Sequence, residues 1–263
     1  MTRVALLADI HGNAVALEAV LRDLERQPID QVVCLGDVAA TGPQPQAVLA
    51  SLRRLGCPVV MGNADVWLLN PTPSGGDDET TRRWLAIDTW CLAQLSEEDL
   101  AFVRTFQSTV ACALGDGPTV LCFHGSPRSN HDELRATTPE AELANLLGNT
   151  DATVLAGGHT HEQLLRRVGR SLLLNPGSIG LPFERRIVGP NEAGRTPPWS
   201  EYAVIAAEEG RLEVSFRRVP LDVDAVIAAA LHSGMPEAEW WADGWRAGAR
   251  QSLGAARFKE GRQ

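Results

Sequence analysis

Five short apolar runs in this chain end in polar residues beside glycine, and that pattern constrains the fold more than any other feature. "RVALLAD" leads into Ile10, His11 and Gly12, "QVVCLGD" stops at Asp37, and "PVVMGNAD" stops at Asn63 to Asp65. "TVLCFHG" ends at His124, and "ATVLAGGHTH" ends at His159 and His161. Aliphatic runs of this length, apolar on both faces, are the pattern of strands in a covered, parallel sheet. After the first of them, Leu17, Val20, Leu21 and Leu24 follow Asn13 at helical spacing, and Asn13 is a good helix cap. "QPQAVLASLRRLG" repeats the helical pattern and closes on Gly56. Strand, turn and helix in alternation predict an α/β fold. In such a sheet the carboxyl ends of the strands gather on one edge, where ligands bind. Asp9 and His11, two positions apart, point the same way if the backbone stays extended.

With 263 residues and 44% hydrophobic content, residues 1–263 can form one domain around one large core. Residues 66–108 break the pattern: "PTPSGGDDETT" is a loop by composition, and two helices follow, the second opened by Ser96 and Asp99 at capping-box spacing. This block is expected to be a helical insertion beside the sheet. From 162 onward "QLLRRV", "SLLLN", "EYAVIAA" and "RLEVSFRRV" predict a second, antiparallel group of strands, with a turn at Glu209-Gly210. Residues 221–263 form a helical extension whose Trp240, Trp241 and Trp245 have the spacing of core packing. "GPNEAGRTPPWS", residues 189–200, is expected to be a surface loop. No internal repeat is evident.

Each strand-end residue has a bland reading when taken alone. An Asp after Gly is more often a turn residue than a ligand, and a single "HG" or "GNAD" says little. Together they are harder to dismiss, because four of the six histidines fall at expected strand ends, beside Asp9, Asp37 and Asn63. Carboxylate, amide and imidazole, without cysteine, make the ligand set of an open metal site for Mn²⁺, Fe or Zn²⁺ rather than a closed structural zinc. His131 and His232 fit no such position. The formal net charge of -9 argues against a broad nucleic-acid-binding face. Five cysteines without a CxxC pair suit a reducing cytosol. The start of the chain has no signal-peptide core, and no run reaches the roughly 20 apolar residues of a membrane span. A soluble, cytoplasmic protein with no membrane partner is expected.

In order, "DIH" at 9–11, "GD" at 36–37, "GNAD" at 62–65, "HG" at 124–125 and "GHTH" at 158–161 resemble the motif set of the calcineurin-like metallophosphoesterases. "LLLNPGSIG" extends the resemblance, which runs from residue 1 to about 220 and is similar to the small bacterial and archaeal phosphodiesterase branch. It implies a two-sheet β-sandwich flanked by helices in four layers, α/β/β/α. It also implies two divalent ions, Mn²⁺ first, with Fe, Zn²⁺ or Ni²⁺ as alternatives. Asp37 would bridge them; Asp9, His11 and His161 would complete one site, and Asn63, His124 and His159 the other. The implied reaction is hydrolysis of a phosphodiester or nucleotide by a metal-bridging hydroxide, with Asp37, Asn63, Asp65 and His124 as the catalytic set. A nuclease, or a non-catalytic scaffold of the same fold, is the alternative. Many members carry histidine after the GN pair, where this chain has Ala64; that difference is compatible with diester hydrolysis or with activated leaving groups and does not assign a monoesterase. Asp65 orients a ligand or caps the next segment. Arg128 and the pair Arg185-Arg186 are candidates to contact a small phosphorylated substrate.

Overall fold

The computed structural model describes residues 1–72, 76–183 and 195–260. Strand β1 (Thr2–Leu7) shows why its sequence is apolar without interruption. Its side chains alternate between faces, and both faces are covered. Val4 and Leu6 enter a core shared by two sheets, while Ala5 and Leu7 enter a core beneath helices α1 (Ala14–Leu24) and α2 (Pro45–Leu55). All four are fully buried. Asn13 caps α1 by accepting from the Ala16 N–H at 3.1 Å, and Gly56 ends α2 with φ 66°.

β1 is central in the first sheet. β2 (Gln31–Cys34) runs parallel on one side, and β8 (Trp199–Glu208), antiparallel on the other, is followed by β9 (Arg211–Pro220) at the edge. The second sheet has the order β3-β4-β5-β7-β6: β3 (Val110–Ala113), β4 (Thr119–Cys122), β5 (Val154–Ala156), β7 (Ser171–Asn175) and β6 (Leu164–Val168). Its three inner strands are parallel and its two outer ones antiparallel. Val4, Leu6, Val120, Val154, Leu174 and Ile205 pack between the sheets. The outer face of the second sheet takes Leu143 and Leu147 of α6 (Glu140–Leu147) against Phe123, Leu155 and Leu173. Helix, sheet, sheet and helix therefore form the four layers expected. Among the described residues no helix is long and apolar enough to cross a membrane.

Three helices occupy the region read as an insertion: α3 (Asn63–Leu69), which begins just before it, α4 (Glu79–Gln94) and α5 (Glu97–Val103). Ser96 and Asp99 form the capping box that opens α5. Ile87 and Cys91 of α4 pack with Val226 and Ala230 of α7 (Val223–His232) and with Trp241 and Trp245 of α8 (Ala238–Glu260). Trp241 and Trp245 are buried, so the spacing of the tryptophans does mark a core.

The structure corrects the sequence reading in four places. "PVVMGNAD" is no strand: Val59 and Val60 make only isolated bridges, to Cys34 and Gln107, before α3 starts at Asn63. The late strands do not form one antiparallel group. β6 and β7 join the second sheet, where β7 lies parallel to β5, while β8 and β9 complete the first. The metal-edge strands accordingly come from two sheets rather than one. Within 189–200, Thr196 and Ser200 are buried and β8 begins at Trp199, so the described part is no surface loop; 189–194 and the pair Arg185-Arg186 lie outside the described residues. Helix α6 and strand β3 carried no reading at all from the sequence.

Candidate metal centre

The strand tips do not continue as strands. Asp9, His11, Asp37, His159 and His161 all have positive φ, between 46° and 69°. Each side chain there costs about 1–3 kcal/mol relative to ordinary backbone, and such strain persists only where surrounding structure fixes it. The fixing bonds are visible. Asp9, His11 and Gly12 N–H groups donate to Gly36, Asp37 and Val38 carbonyls at 3.0, 3.0 and 2.9 Å. The Asp9 carbonyl accepts from the Gly180 N–H (3.0 Å) and the Ser178 hydroxyl (2.7 Å). A Cβ at Gly180 would run into the Ile10 carbonyl, so only glycine permits this approach. Asp9 and His11 thus converge through left-handed turns, not by the alternation of an extended chain as their spacing had predicted.

The turns bring two triads together. Asp9, His11 and His161 form one and Asp37, His124 and His159 the other; within each, one donor atom per residue lies within 4.8 Å of the others. Asp37 sits between them: its Oδ1 accepts from the Ala64 N–H at 2.8 Å, and its Oδ2 faces His124 Nε2 at 3.3 Å and His11 Nε2 at 3.7 Å. Asn63 Oδ1 lies 3.0 Å from His124 Nε2, and Asp9 Oδ1 3.5 Å from His161 Nε2. The His159 N–H donates to both Asp9 oxygens, at 3.3 and 3.1 Å.

Three imidazoles are held in one tautomer. His11, His124 and His161 donate from Nδ1 to the carbonyls of Ala40 (3.3 Å), Leu35 (2.7 Å) and Leu181 (2.7 Å), leaving Nε2 for a metal. His11 Nε2 and His161 Nε2 then face each other at 3.0 Å, and His124 Nε2 faces two oxygens. Acceptor against acceptor is repulsive unless a proton or a cation stands between. This donor set therefore fits divalent ions, which suit imidazole and carboxylate together.

The ion-free electrostatics point the same way. Burial pulls His124 down, yet the Asp37 carboxylate beside it overrides that and pushes it up to about 10. Burial, reinforced by His161, lowers His11 to about 4. Burial opposes ionisation of Asp37, but His124, His11 and the Ala64 N–H hold its carboxyl well below the usual range. Burial and then His124 lower His159, whereas Asp9 outweighs burial at His161 and raises it.

Asp65 is completely buried, and its oxygens are taken by three backbone N–H groups: Asp37 (2.8 Å), Val38 (2.9 Å) and Gly62 (3.0 Å). It caps α3 and at the same time holds the loop that carries Asp37. Arg128 is exposed, in the loop after His124. His131 and His232 are exposed and belong to neither triad. The carbonyls that fix the imidazoles were missed from sequence, since a backbone acceptor leaves no side-chain signature. "LLLNPGSIG" was the available signal for the rest: Asn175 donates to the Gly158 carbonyl at 2.6 Å, and Ser178 and Gly180 clamp Asp9.

A model of the calcineurin-like phosphoesterase superfamily domain matches residues 2–189. The chain belongs to that superfamily, whose members hydrolyse phosphoesters with divalent metal ions. An uncharacterized protein of Methanocaldococcus jannaschii is 24% identical over 238 residues, covering 89% of this chain and 94% of that one. Among solved structures, a metallophosphoesterase from Sphaerobacter thermophilus superposes with a TM-score of 0.69 at 23% identity, and a hypothetical protein from Pyrococcus horikoshii OT3 with 0.76 at 22%. Each comparison covers 94% of this chain and 99% of the other, and they establish a shared fold.

Proposed function

We propose that this protein is a dinuclear, metal-dependent phosphodiesterase acting on a small phosphodiester. The observation that carries the reading is Asp37, one of whose oxygens faces a histidine of each triad. In this reading Asp9, His11 and His161 hold one ion, Asn63, His124 and His159 the other, and Asp37 both, because a carboxylate offers lone pairs to two cations while an imidazole offers one. Two such ions, with Mn²⁺ the first choice and Fe, Zn²⁺ or Ni²⁺ the alternatives, supply an acidified water and a clamp on the phosphate oxygens.

The chain's own residues do the rest. Asp65 acts on the reaction only as a positioning residue, through the Asp37 loop. Ala64, at 8% exposure, brings no proton donor to the place where many relatives carry histidine, and this supports a diester or an activated ester over an alkyl monoester. We read residues 1–263 as one domain, since β8, beyond the family match, pairs with β1 and completes the first sheet. Five free cysteines fit a reducing, cytoplasmic setting.

The test is hydrolysis of matched chromogenic diester and monoester phosphates by metal-stripped protein, with Mn²⁺ restored. Metal-dependent turnover favouring the diester is expected, and its loss in Asp37→Asn. Turnover that is indifferent to metal would overturn the reading.

A further inference from the structure

A cavity of about 380 Å³ opens directly beside the second triad, with His124 in its wall. That size lies within the ~300–1,000 Å³ typical of small-molecule sites. Met61, Val66 and Pro127 give it an apolar side. Ser129, Asn130 and Arg128 give it a polar one.

The polar side is prebuilt. The Ser126 hydroxyl donates to Asp132 at 2.6 Å and accepts from the Arg128 and Ser129 N–H groups, both at 3.1 Å, while the Ser126 N–H donates to the Ser129 carbonyl at 2.7 Å. A loop tied in this way has little conformational entropy left to lose on binding. Asn130 is fixed by donating to the Gly62 carbonyl at 3.3 Å, and its own carbonyl oxygen remains an acceptor. Ser129 Oγ accepts from the His131 N–H at 3.1 Å and keeps its proton to donate. The Arg128 guanidinium rests against Gly148 at the end of α6 and has no ion pair or hydrogen bond among the described residues. The guanidinium is exposed, so its N–H donors are free to meet an anion at the mouth of the cavity.

We propose that this cavity is the subsite for one ester substituent of the substrate, and that it takes a nucleoside carrying a further phosphate. The ring lies against Met61, Val66 and Pro127, the sugar and base polar groups meet Ser129 and Asn130, and the second phosphate meets Arg128. The assignment rests on the phosphodiesterase reading and narrows it to nucleotide-derived diesters.

The probes are methyl p-nitrophenyl phosphate, thymidine 5′-(p-nitrophenyl phosphate), and the latter with a 3′-phosphate, all with Mn²⁺-loaded protein. The expected kcat/KM is at least tenfold higher for the nucleoside ester than for the methyl ester, and higher again with the 3′-phosphate. In Val66→Trp the first preference collapses below twofold with two ions still bound; Ser129→Trp repeats the test from the other wall, should the start of α3 not tolerate tryptophan. In Arg128→Ala only the gain from the 3′-phosphate disappears. Equal rates for methyl and nucleoside esters, or a tryptophan variant that slows both alike, would overturn the proposal. If no ester is hydrolysed, the catalytic reading has failed and the subsite is judged by calorimetry with thymidine 3′,5′-bisphosphate. Binding that is lost in Val66→Trp and Arg128→Ala, at unchanged metal content, supports it, and no binding to the parent protein overturns it.

Discussion

The two triads differ in how they meet solvent. Asp9, His11 and His161 are all buried, both histidines are pinned through Nδ1, and Phe183 stacks on the His161 ring at 4.9 Å. In the other triad Asp37 and His124 are buried, but His159 is half-buried, Asn63 is half-buried, and a cavity reaches His124. The first triad is the closed, anchored half of the proposed centre, and the second is the half open to substrate. Closure comes from the second sheet and the helical tail: the Leu181 carbonyl that holds His161 belongs to a residue packed in the cluster of α4, α7 and α8.

Asp37 faces both halves, so its replacement should have the largest effect. Asp37→Asn is expected to lower diester hydrolysis by far more than the ~10–100-fold that outer-shell changes cost, and to reduce bound metal below two ions. A residual activity within tenfold of the parent protein would mean that Asp37 does not link the two halves.

Next in size is Asp65→Ala, which leaves three buried N–H groups without an acceptor. A loss of about 2–4 kcal/mol of stability is expected in urea titrations, with weaker metal binding. Stability within 0.5 kcal/mol, roughly the range of ordinary surface substitutions, would contradict that role.

The anchored and the half-buried histidine should respond differently to removal. His161→Ala removes an anchored ligand together with its bond to Leu181, and should lower both Tm and metal content. His159→Ala removes the half-buried one and should lower metal content with little change in Tm. Equal losses of Tm in the two would erase the distinction between a closed and an open half.

The tail is tested by Trp241→Phe. Its indole donates to the Thr41 carbonyl at 3.1 Å, in a loop whose preceding carbonyl, Ala40, holds His11. A loss of about 1 kcal/mol and a modest fall in kcat are expected, the net worth of one hydrogen bond. The smallest effect is at Ala64→His, which should shift the ratio of monoester to diester hydrolysis; an unchanged ratio would show that position 64 does not set the preference.

These residues also show what a sequence can disclose. Asp9, His11, Asp37, His124, His159 and His161 stood out because ligand-type side chains followed apolar runs, and side-chain chemistry is written in sequence. The backbone that gathers them was not legible. Left-handed φ at Asp and His has no marker of its own, and Asp65 gives no hint that its partners are three N–H groups. Strand identity failed for a related reason. "PVVMGN" has the composition of a strand but lacks a neighbour along its length, and "SLLLN" pairs in parallel with β5 because of where β6 returns the chain, which is a tertiary fact. Helix α6 carries only a modest apolar face, Leu143 and Leu147, and begins after Pro139 without a side-chain cap.

The central claim is a two-ion centre shared through Asp37, and metal stoichiometry tests it most directly. The protein is stripped, reloaded with Mn²⁺, and weighed intact by native mass spectrometry beside Asp37→Asn, with diester hydrolysis followed on the same samples. The account predicts two ions per chain and hydrolysis that rises with the second ion, both lost in the variant. A single ion in the fully active protein, or full occupancy retained by Asp37→Asn, would contradict it.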